Sequence, residues 1–164
     1  HLFSSSLGST LLIDSLQRRE IHAKSSLFVA PNEHFKLPLW SRVIIKLPLP
    51  IVVLKLMRSI TLRAIERKVK EEGQRIRYRR ALMEQELVRW RASARSLITY
   101  SLPEDLSNIT VPCGILAAQS DKLHAMDAAK SIAARIPGAV MIEVPSNQYA
   151  HEADVLVEVV PTQF

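Results

Sequence analysis

The stretch Phe3-Ser4-Ser5-Ser6-Leu7-Gly8-Ser9 carries the most information about the fold of this 164-residue sequence. Ser6 stands between two small residues at positions i−2 and i+2, Ser4 and Gly8, and the apolar run Leu11–Ile13 follows. This is the pattern of a nucleophile elbow, G-x-S-x-G, with a serine in place of the first glycine. Such an elbow is a tight turn from a strand into a helix, and its neighbours must be small because the turn leaves little room. The stretch therefore predicts a strand, a raised serine hydroxyl and a helix, in that order.

A serine cluster beside a glycine also has a plainer interpretation. It is typical of a surface loop, or of a helix N-cap in which the hydroxyl accepts a hydrogen bond from first-turn amides. One pentapeptide with a substitution does not decide between these alternatives. The polar residues found further along the chain, after two more predicted strands, help to distinguish the elbow from the loop or helix cap.

A second stretch, Ile109–Asp121, is a short apolar run that ends in a polar turn. A continuously apolar run of this kind is typical of a parallel strand that is buried on both faces. Asp121 comes just past the carboxyl end of that strand, where open α/β sheets place their functional groups. Residues 123–136 then have apolar side chains at helical spacing, and Pro137-Gly138 ends the predicted helix.

A third stretch, Ala139–Val144, predicts another short strand, and the loop over residues 145–151 brings His151 beyond its end. Serine, acid and histidine therefore occur in that order, each after a strand of its own. A serine hydroxyl is a poor nucleophile at neutral pH and needs an adjacent base to take its proton. A carboxylate orients the histidine and stabilises the imidazolium. Ser6, His151 and Asp121 are the candidates for these roles.

Over nearly its whole length the sequence resembles the α/β-hydrolase superfamily. The match rests on the elbow, on Ser25–Pro31 as the strand after the elbow helix, on Ile109–Asp121 as the acid-bearing strand, and on Gln148–Glu152 as the histidine loop. The resemblance implies an α/β fold: the C-terminal half of a mostly parallel sheet with a helical cap insertion. It assigns residues 1–37 and 101–164 to the hydrolase core.

The resemblance also implies the site residues. Ser6, Asp121 and His151 would be catalytic, and the backbone N–H of Leu7 would be one of two oxyanion donors. The first strands of the sheet and the second oxyanion donor are expected upstream. Residues 1–164 expressed alone are therefore expected to be inactive.

The resemblance places a helical cap, or lid, at residues 38–100. Within it, apolar residues fall at i, i+4, i+7, i+11 and i+14, which predicts one helical stripe. The members of this stripe are Met83, Leu87, Trp90, Ala94 and Leu97.

The positive charge of the chain is concentrated in this cap. From Arg42 to Arg95 there are 15 Lys and Arg against 5 Asp and Glu, a net charge of +10, whereas the remainder of the chain carries −4. A basic amphipathic insertion could lie on an anionic membrane surface and admit lipid esters. The alternative is that these side chains only solvate the outer faces of cap helices. Nucleic acid is not expected as a partner, because no recognised motif occurs and aromatic residues are few.

The resemblance implies a serine hydrolase, most simply an esterase or lipase-like enzyme that acts on an apolar ester through an acyl-serine intermediate. Two alternatives stay open: an acyltransferase on the same fold, and a catalytically silent homologue that acts as a membrane or interaction module. No cofactor is expected, since there is no glycine-rich phosphate loop. No metal is expected either, since the five histidines lack ligand-like spacing. The single Cys113 falls in a predicted buried strand and is interpreted as a core residue.

Overall fold

The computed structural model describes residues 1–35, 39–121, 126–146, 148–152 and 156–157. The chain divides into two compact units. The first, called the sheet unit, comprises His1–Glu33 and Leu102–Phe164, and the second, called the helical unit, comprises His34–Ser101. These divisions lie within a few residues of the core and cap boundaries that the sequence predicts.

The sheet unit is built around a four-stranded parallel sheet in the order β1-β2-β3-β4. The strands are β1 (Leu2–Ser5), β2 (Ser26–Val29), β3 (Cys113–Ala118) and β4 (Val140–Val144). One row of register partners, Ser5, Val29, Leu116 and Ile142, crosses all four strands. Because the strands are parallel, their carboxyl ends lie along a single edge of the sheet.

Seven helices occur in the described residues. They are α1 (Leu7–Gln17), α2 (Leu39–Lys46), α3 (Ile51–Lys68), α4 (Glu72–Glu84), α5 (Leu87–Ile98), α6 (Met126–Arg135) and α7 (Gln148–His151). Helices α1, α6 and α7 belong to the sheet unit, and α2 to α5 belong to the helical unit. None of these helices is both long enough and apolar enough to cross a bilayer.

Two apolar clusters cover the two faces of the sheet, because successive side chains of a strand point to opposite sides. Phe28 and Ile115 join Ile13 of α1 and Ile132 of α6 in one cluster. The other cluster contains the residues that alternate with Phe28 and Ile115 along β2 and β3, together with residues of β4 and Ala150, which precedes His151. Its members include Leu27, Val29, Leu116, Ala118, Ile142, Val144 and Ala150. Every residue of β2 and β3 is buried. This double coverage explains why both strands appear in the sequence as uninterrupted apolar runs.

The helical unit departs from the predicted stripe at one point. Helix α4 ends at Glu84 and α5 begins at Leu87, with Gln85 and Glu86 in extended conformations (ψ 131° and 132°). Met83 is 50 % exposed, whereas Leu87 is buried. The prediction of one stripe from Met83 onward is therefore wrong, because two extended residues change the direction of the chain. From Leu87 the remaining members of the stripe lie on the more buried side of α5.

Candidate active site

Ser6 occupies the turn between β1 and α1. Its backbone has φ 53° and ψ −123°, a conformation that residues with a Cβ rarely adopt and glycine adopts readily. Ser6 is the N-cap residue of α1, but its side chain makes no capping hydrogen bond. The helix-cap interpretation of the serine cluster therefore does not apply to Ser6. The local geometry is the strand-to-helix turn that the elbow pattern predicts.

The strained turn is held from the neighbouring strand. The amide of Ser6 donates a hydrogen bond to the carbonyl oxygen of Val29 at 2.8 Å. The hydroxyl of Ser9 donates to the same carbonyl at 3.0 Å, and the Ser4 hydroxyl donates to Ser9 Oγ at 3.2 Å. Unusual backbone conformations persist only where the surroundings fix them, and here the end of β2 supplies that support.

The structure also explains why the residues two positions before and after Ser6 are small. A Cβ added to Gly8 would lie 3.9 Å from the Cβ of Ser4, which is an ordinary van der Waals distance. The two flanking positions therefore face each other across the turn, as the elbow pattern requires. There is room for one methyl group at Gly8, and its φ is not positive, so this turn needs a small residue there rather than glycine itself.

Leu7, the candidate oxyanion donor, is the first residue of α1. The hydrogen-bonding of the helix begins with the Thr10 amide, which donates to the Ser6 carbonyl at 3.2 Å. The three amides before Thr10 therefore have no intrahelical acceptor. No acidic residue lies in the first turn of α1. The amide of Leu7 is therefore available at the positive end of a helix, where an anion is stabilised.

Thr10 is a supporting residue that the sequence analysis missed. Its side chain is fully buried, and its hydroxyl both donates to the carbonyl oxygen and accepts from the amide of Asn32, each at 3.0 Å. This pair of bonds fixes the chain that leaves β2 against the start of α1. The only sequence signal is the polar pair Ser9-Thr10 within an otherwise apolar helix start. Its partner lies 22 residues away, so the pattern alone does not reveal the contact.

Asp121 lies three residues beyond the end of β3. The pairing of β3 with β4 continues past both strands, with the Ser120 amide bonded to the Pro145 carbonyl at 3.2 Å. The Asp121 amide then bonds to the carbonyl of Ala118 at 3.2 Å. The residue as a whole is only 8 % exposed. The turn therefore holds a largely buried carboxyl group beside the exit of β4.

His151 is the last residue of α7, a helix of four residues. The sequence predicts a loop over residues 145–151, and that prediction is wrong for residues 148–151, which are helical. Ala150 is fully buried and belongs to the apolar cluster that includes Ala118 and Val144. This anchoring fixes α7 against the ends of β3 and β4, and the half-buried His151 is positioned with it.

The three sequence-predicted residues thus share one edge of one sheet. Ser6 follows β1, Asp121 follows β3 and His151 follows β4. In open α/β sheets this edge is where functional groups gather. Within the described ranges, no group of three or more His, Cys, Asp or Glu side chains is arranged to hold a metal ion.

No protein-family model matches the chain, and no curated protein matches it by sequence. Solved structures do match. An esterase from Exiguobacterium antarcticum has a TM-score of 0.73 at 14 % identity, and a hydrolase from Pseudomonas aeruginosa PA01 has 0.70 at 16 %. The chain has the α/β-hydrolase fold.

The α/β-hydrolase fold predicted from the sequence is confirmed by these structures. The first match covers 98 % of this chain and 64 % of the esterase, and the second covers 99 % and 63 %. An enol-lactonase from Burkholderia xenovorans LB400 gives a TM-score of 0.69 at 14 % identity, with 96 % and 62 % covered. The chain therefore spans just under two thirds of the length of each of these structures.

Proposed function

We propose that the full-length protein is a serine hydrolase that cleaves carboxylic esters, with Ser6 as its nucleophile. The observation that carries this proposal is the conformation of Ser6, a non-glycine residue at φ 53° whose hydroxyl does not cap the helix it begins. Backbone strain of this kind costs about 1–3 kcal/mol and is concentrated at functional sites. A turn with only a structural role would be more stable with glycine at this position.

The proposed reaction uses the three residues in sequence. His151 takes the proton of the Ser6 hydroxyl as the oxygen attacks the ester carbonyl carbon, and Asp121 orients the imidazole and stabilises its charged form. The negative charge that develops on the carbonyl oxygen is stabilised by the Leu7 amide. Collapse of this intermediate breaks the ester bond, and His151 returns the proton to the leaving alcohol. Water, activated in the same way, then releases the acid and restores Ser6.

The proposal that the substrate is an ester is supported by the solved structures that resemble this chain. The Exiguobacterium protein is described as an esterase and the Burkholderia protein as an enol-lactonase. An apolar substrate remains the expectation from the many Leu, Ile and Val residues of the helical unit. Acyl transfer shares every step up to the acyl-serine and differs only in that an alcohol, rather than water, takes the acyl group.

The test uses the full-length protein and a fluorophosphonate probe, which reacts with activated serines. Wild type should be labelled and Ser6→Ala should not, and Ser6→Ala should lower kcat by roughly 10³–10⁶, as removal of a triad serine does. Ser5→Ala is the matched control and should retain labelling and most activity. If Ser5→Ala abolishes labelling while Ser6→Ala retains it, the assignment of the nucleophile is wrong. A correctly folded wild type that is never labelled would show a catalytically silent homologue.

Hydrolysis and acyl transfer are separated by the products. With an added alcohol, a hydrolase should still release mainly the free acid, whereas a transferase should form mainly the new ester. Mass spectrometry of the products measures this ratio directly.

A further inference from the structure

The helical unit exposes an unusual share of large apolar side chains. Fifteen such side chains are exposed in the described residues, and seven of them occur within residues 39–60. Exposed apolar groups that are scattered singly need no explanation, whereas a concentration of them marks an interaction site. The seven are Leu39, Val43, Leu47, Ile51, Val52, Leu56 and Ile60.

Five of these seven residues are spaced by one helical turn within α2 or α3. Leu39 and Val43 are one turn apart on α2, at 78 % and 63 % exposure. On α3, Val52, Leu56 and Ile60 are likewise spaced at i, i+4 and i+8 and so share one face. We call the exposed side chains of residues 39–60 the apolar face. Other apolar residues of the same helices already form the interior, since Ile45 and Leu54 are buried.

Helix α2 is held in its orientation by two arginines of α5. Arg91 donates to the carbonyl oxygens of Ile45, at 3.3 Å, and of Leu47. Arg95 donates to the carbonyl oxygen of Lys46 at 3.2 Å. Cationic groups at a helix C-terminus satisfy its last carbonyls and the negative end of its dipole. Arg91 and Arg95 therefore stabilise the unit internally, and the exposed side of α2 is left for a partner.

The charge around the apolar face has a single sign. Between Glu33 and Glu66 the sequence contains no acidic residue and six basic ones. Elsewhere in the helical unit some of the basic side chains pair with acidic ones, as in the Arg75–Glu66 and Arg80–Glu84 ion pairs. Residues 66–101 also carry an excess of positive charge, with ten basic and five acidic residues, but only residues 34–65 contain no acidic residue at all. Five of the six lie in the described residues: Arg42, Lys46, Lys55, Arg58 and Arg63; the sixth, Lys36, lies outside them.

We propose that the apolar face of α2 and α3 docks onto the surface of an anionic lipid bilayer. Its apolar side chains would enter the boundary between headgroups and acyl chains, while the surrounding Lys and Arg contact lipid phosphates. A second copy of this chain is a poorer partner, since the five basic residues described at this face would meet the same five of the other copy. A nucleic acid is poorer too, because it would leave seven apolar side chains in water and would find few aromatic residues to stack on.

The proposal is tested with the full-length protein and two kinds of vesicle, phosphatidylcholine alone and phosphatidylcholine with phosphatidylserine. Wild type should co-sediment with the anionic vesicles, and added salt should weaken this binding because it screens the attraction. Two triple variants remove the apolar and the basic contributions, and two more provide matched controls on the same unit. The test variants are L39Q/V43Q/V52Q and K46Q/K55Q/R63Q, and the controls are I76Q/M83Q/V88Q and K70Q/R77Q/R89Q.

Both test variants should lose binding while both controls bind like wild type. The loss of three basic side chains at the surface should lower the partition coefficient by about a hundredfold. Ser6→Ala should bind vesicles like wild type, so that the docking surface is judged independently of the proposed hydrolase activity. If the basic control weakens binding as much as K46Q/K55Q/R63Q does, attraction by overall charge explains the data and the proposal is wrong.

The remaining outcomes also overturn it. Wild type that ignores anionic vesicles at low salt, with a lower melting temperature for L39Q/V43Q/V52Q, would show that another part of the full-length chain covers the apolar face. A shift from dimer to monomer in the same variant, measured by sedimentation velocity, would show that a second copy covers it. Salt-sensitive binding to DNA or RNA in place of vesicles would assign the face to nucleic acid.

Discussion

The amide of Ser6 donates a 2.8 Å hydrogen bond to the carbonyl oxygen of Val29. Val29 ends β2 and is the register partner of Ser5, so the bond continues the pairing of β1 with β2 one residue into the turn. The Ser9 hydroxyl reaches the same carbonyl. The turn that carries the proposed nucleophile is therefore fixed by the adjacent strand as well as by its own strand and helix.

Replacing Ser6 by glycine should make the protein more stable while removing its activity. Glycine relieves the strain at φ 53°, which should stabilise the folded state by about 1–3 kcal/mol. Glycine also gives the unfolded chain more conformational freedom, and this cancels part of the gain in stability. The free energy of unfolding should rise by about 1 kcal/mol. Ser5→Gly is the control, and it should destabilise because Ser5 has no positive φ and lies in β1, where its register partner is Val29 of β2. A lower unfolding free energy for Ser6→Gly in chemical denaturation would contradict the strain at this turn.

Thr10→Val should loosen the support of the elbow. The substitution keeps the shape of the side chain but removes the hydroxyl that pairs with both the amide and the carbonyl of Asn32. Leaving such backbone groups unpaired costs about 1–3 kcal/mol. We expect that loss in thermal unfolding, together with a lower kcat. Thr10→Ser keeps the hydroxyl and should stay close to wild type, and equal losses in the two variants would mean that methyl packing matters more than the hydrogen bonds.

Asp121→Asn should lower kcat by about 10⁴ while leaving the fold intact, because an amide favours the wrong tautomer of the proposed catalytic base, His151. Asp127 is the nearest rival acid. It lies in the first turn of α6 and is exposed, so Asp127→Asn should have a mild effect. Steady-state kinetics should measure kcat for both variants, and circular dichroism should show that both are folded. A larger effect at Asp127 than at Asp121 would overturn the assignment of the acid.

Cys113 should make stability depend on pH in the alkaline range. Burial raises the pKa of its thiol from 9.0 to about 11. Between these values the unfolded chain has lost the proton and the folded chain still holds it, so the unfolded state binds fewer protons and stability falls as pH rises. The loss should be on the order of 2 kcal/mol by pH 11. Cys113→Ala should lack this component, and identical pH profiles for the two proteins would refute it.

The strand that precedes Asp121 could be predicted from the sequence because both of its faces are covered. Residues 113–118 are buried on both faces, and a strand in that position must be apolar throughout, which the sequence displays directly. The elbow could be predicted because its geometry restricts the residues on either side of Ser6. Both features depend on residues that are close together in the chain.

The features that could not be predicted depend on contacts across the chain or on backbone angles with no clear signature. The break between α4 and α5 keeps apolar residues at helical spacing on both sides, so Met83 appears continuous with Leu87 although the backbone between them is extended. The bond between Thr10 and Asn32 joins distant residues through a single hydroxyl. The short helix at His151 is fixed by burial of Ala150. A single alanine in the sequence does not indicate that its side chain will be buried.

The helical unit leaves and rejoins the sheet unit at a single point. The Leu102 amide bonds to the Glu33 carbonyl at 2.8 Å, and His34 and Ser101 form an antiparallel bridge directly beyond. The two ends of residues 34–101 are thus adjacent, and the strands on either side of them, β2 and β3, are direct neighbours in the sheet. Such a junction lets insertions of different length and composition be exchanged during evolution without disturbing the sheet. Changes within residues 34–101 are therefore expected to alter the proposed membrane attachment without altering the edge of the sheet that carries Ser6.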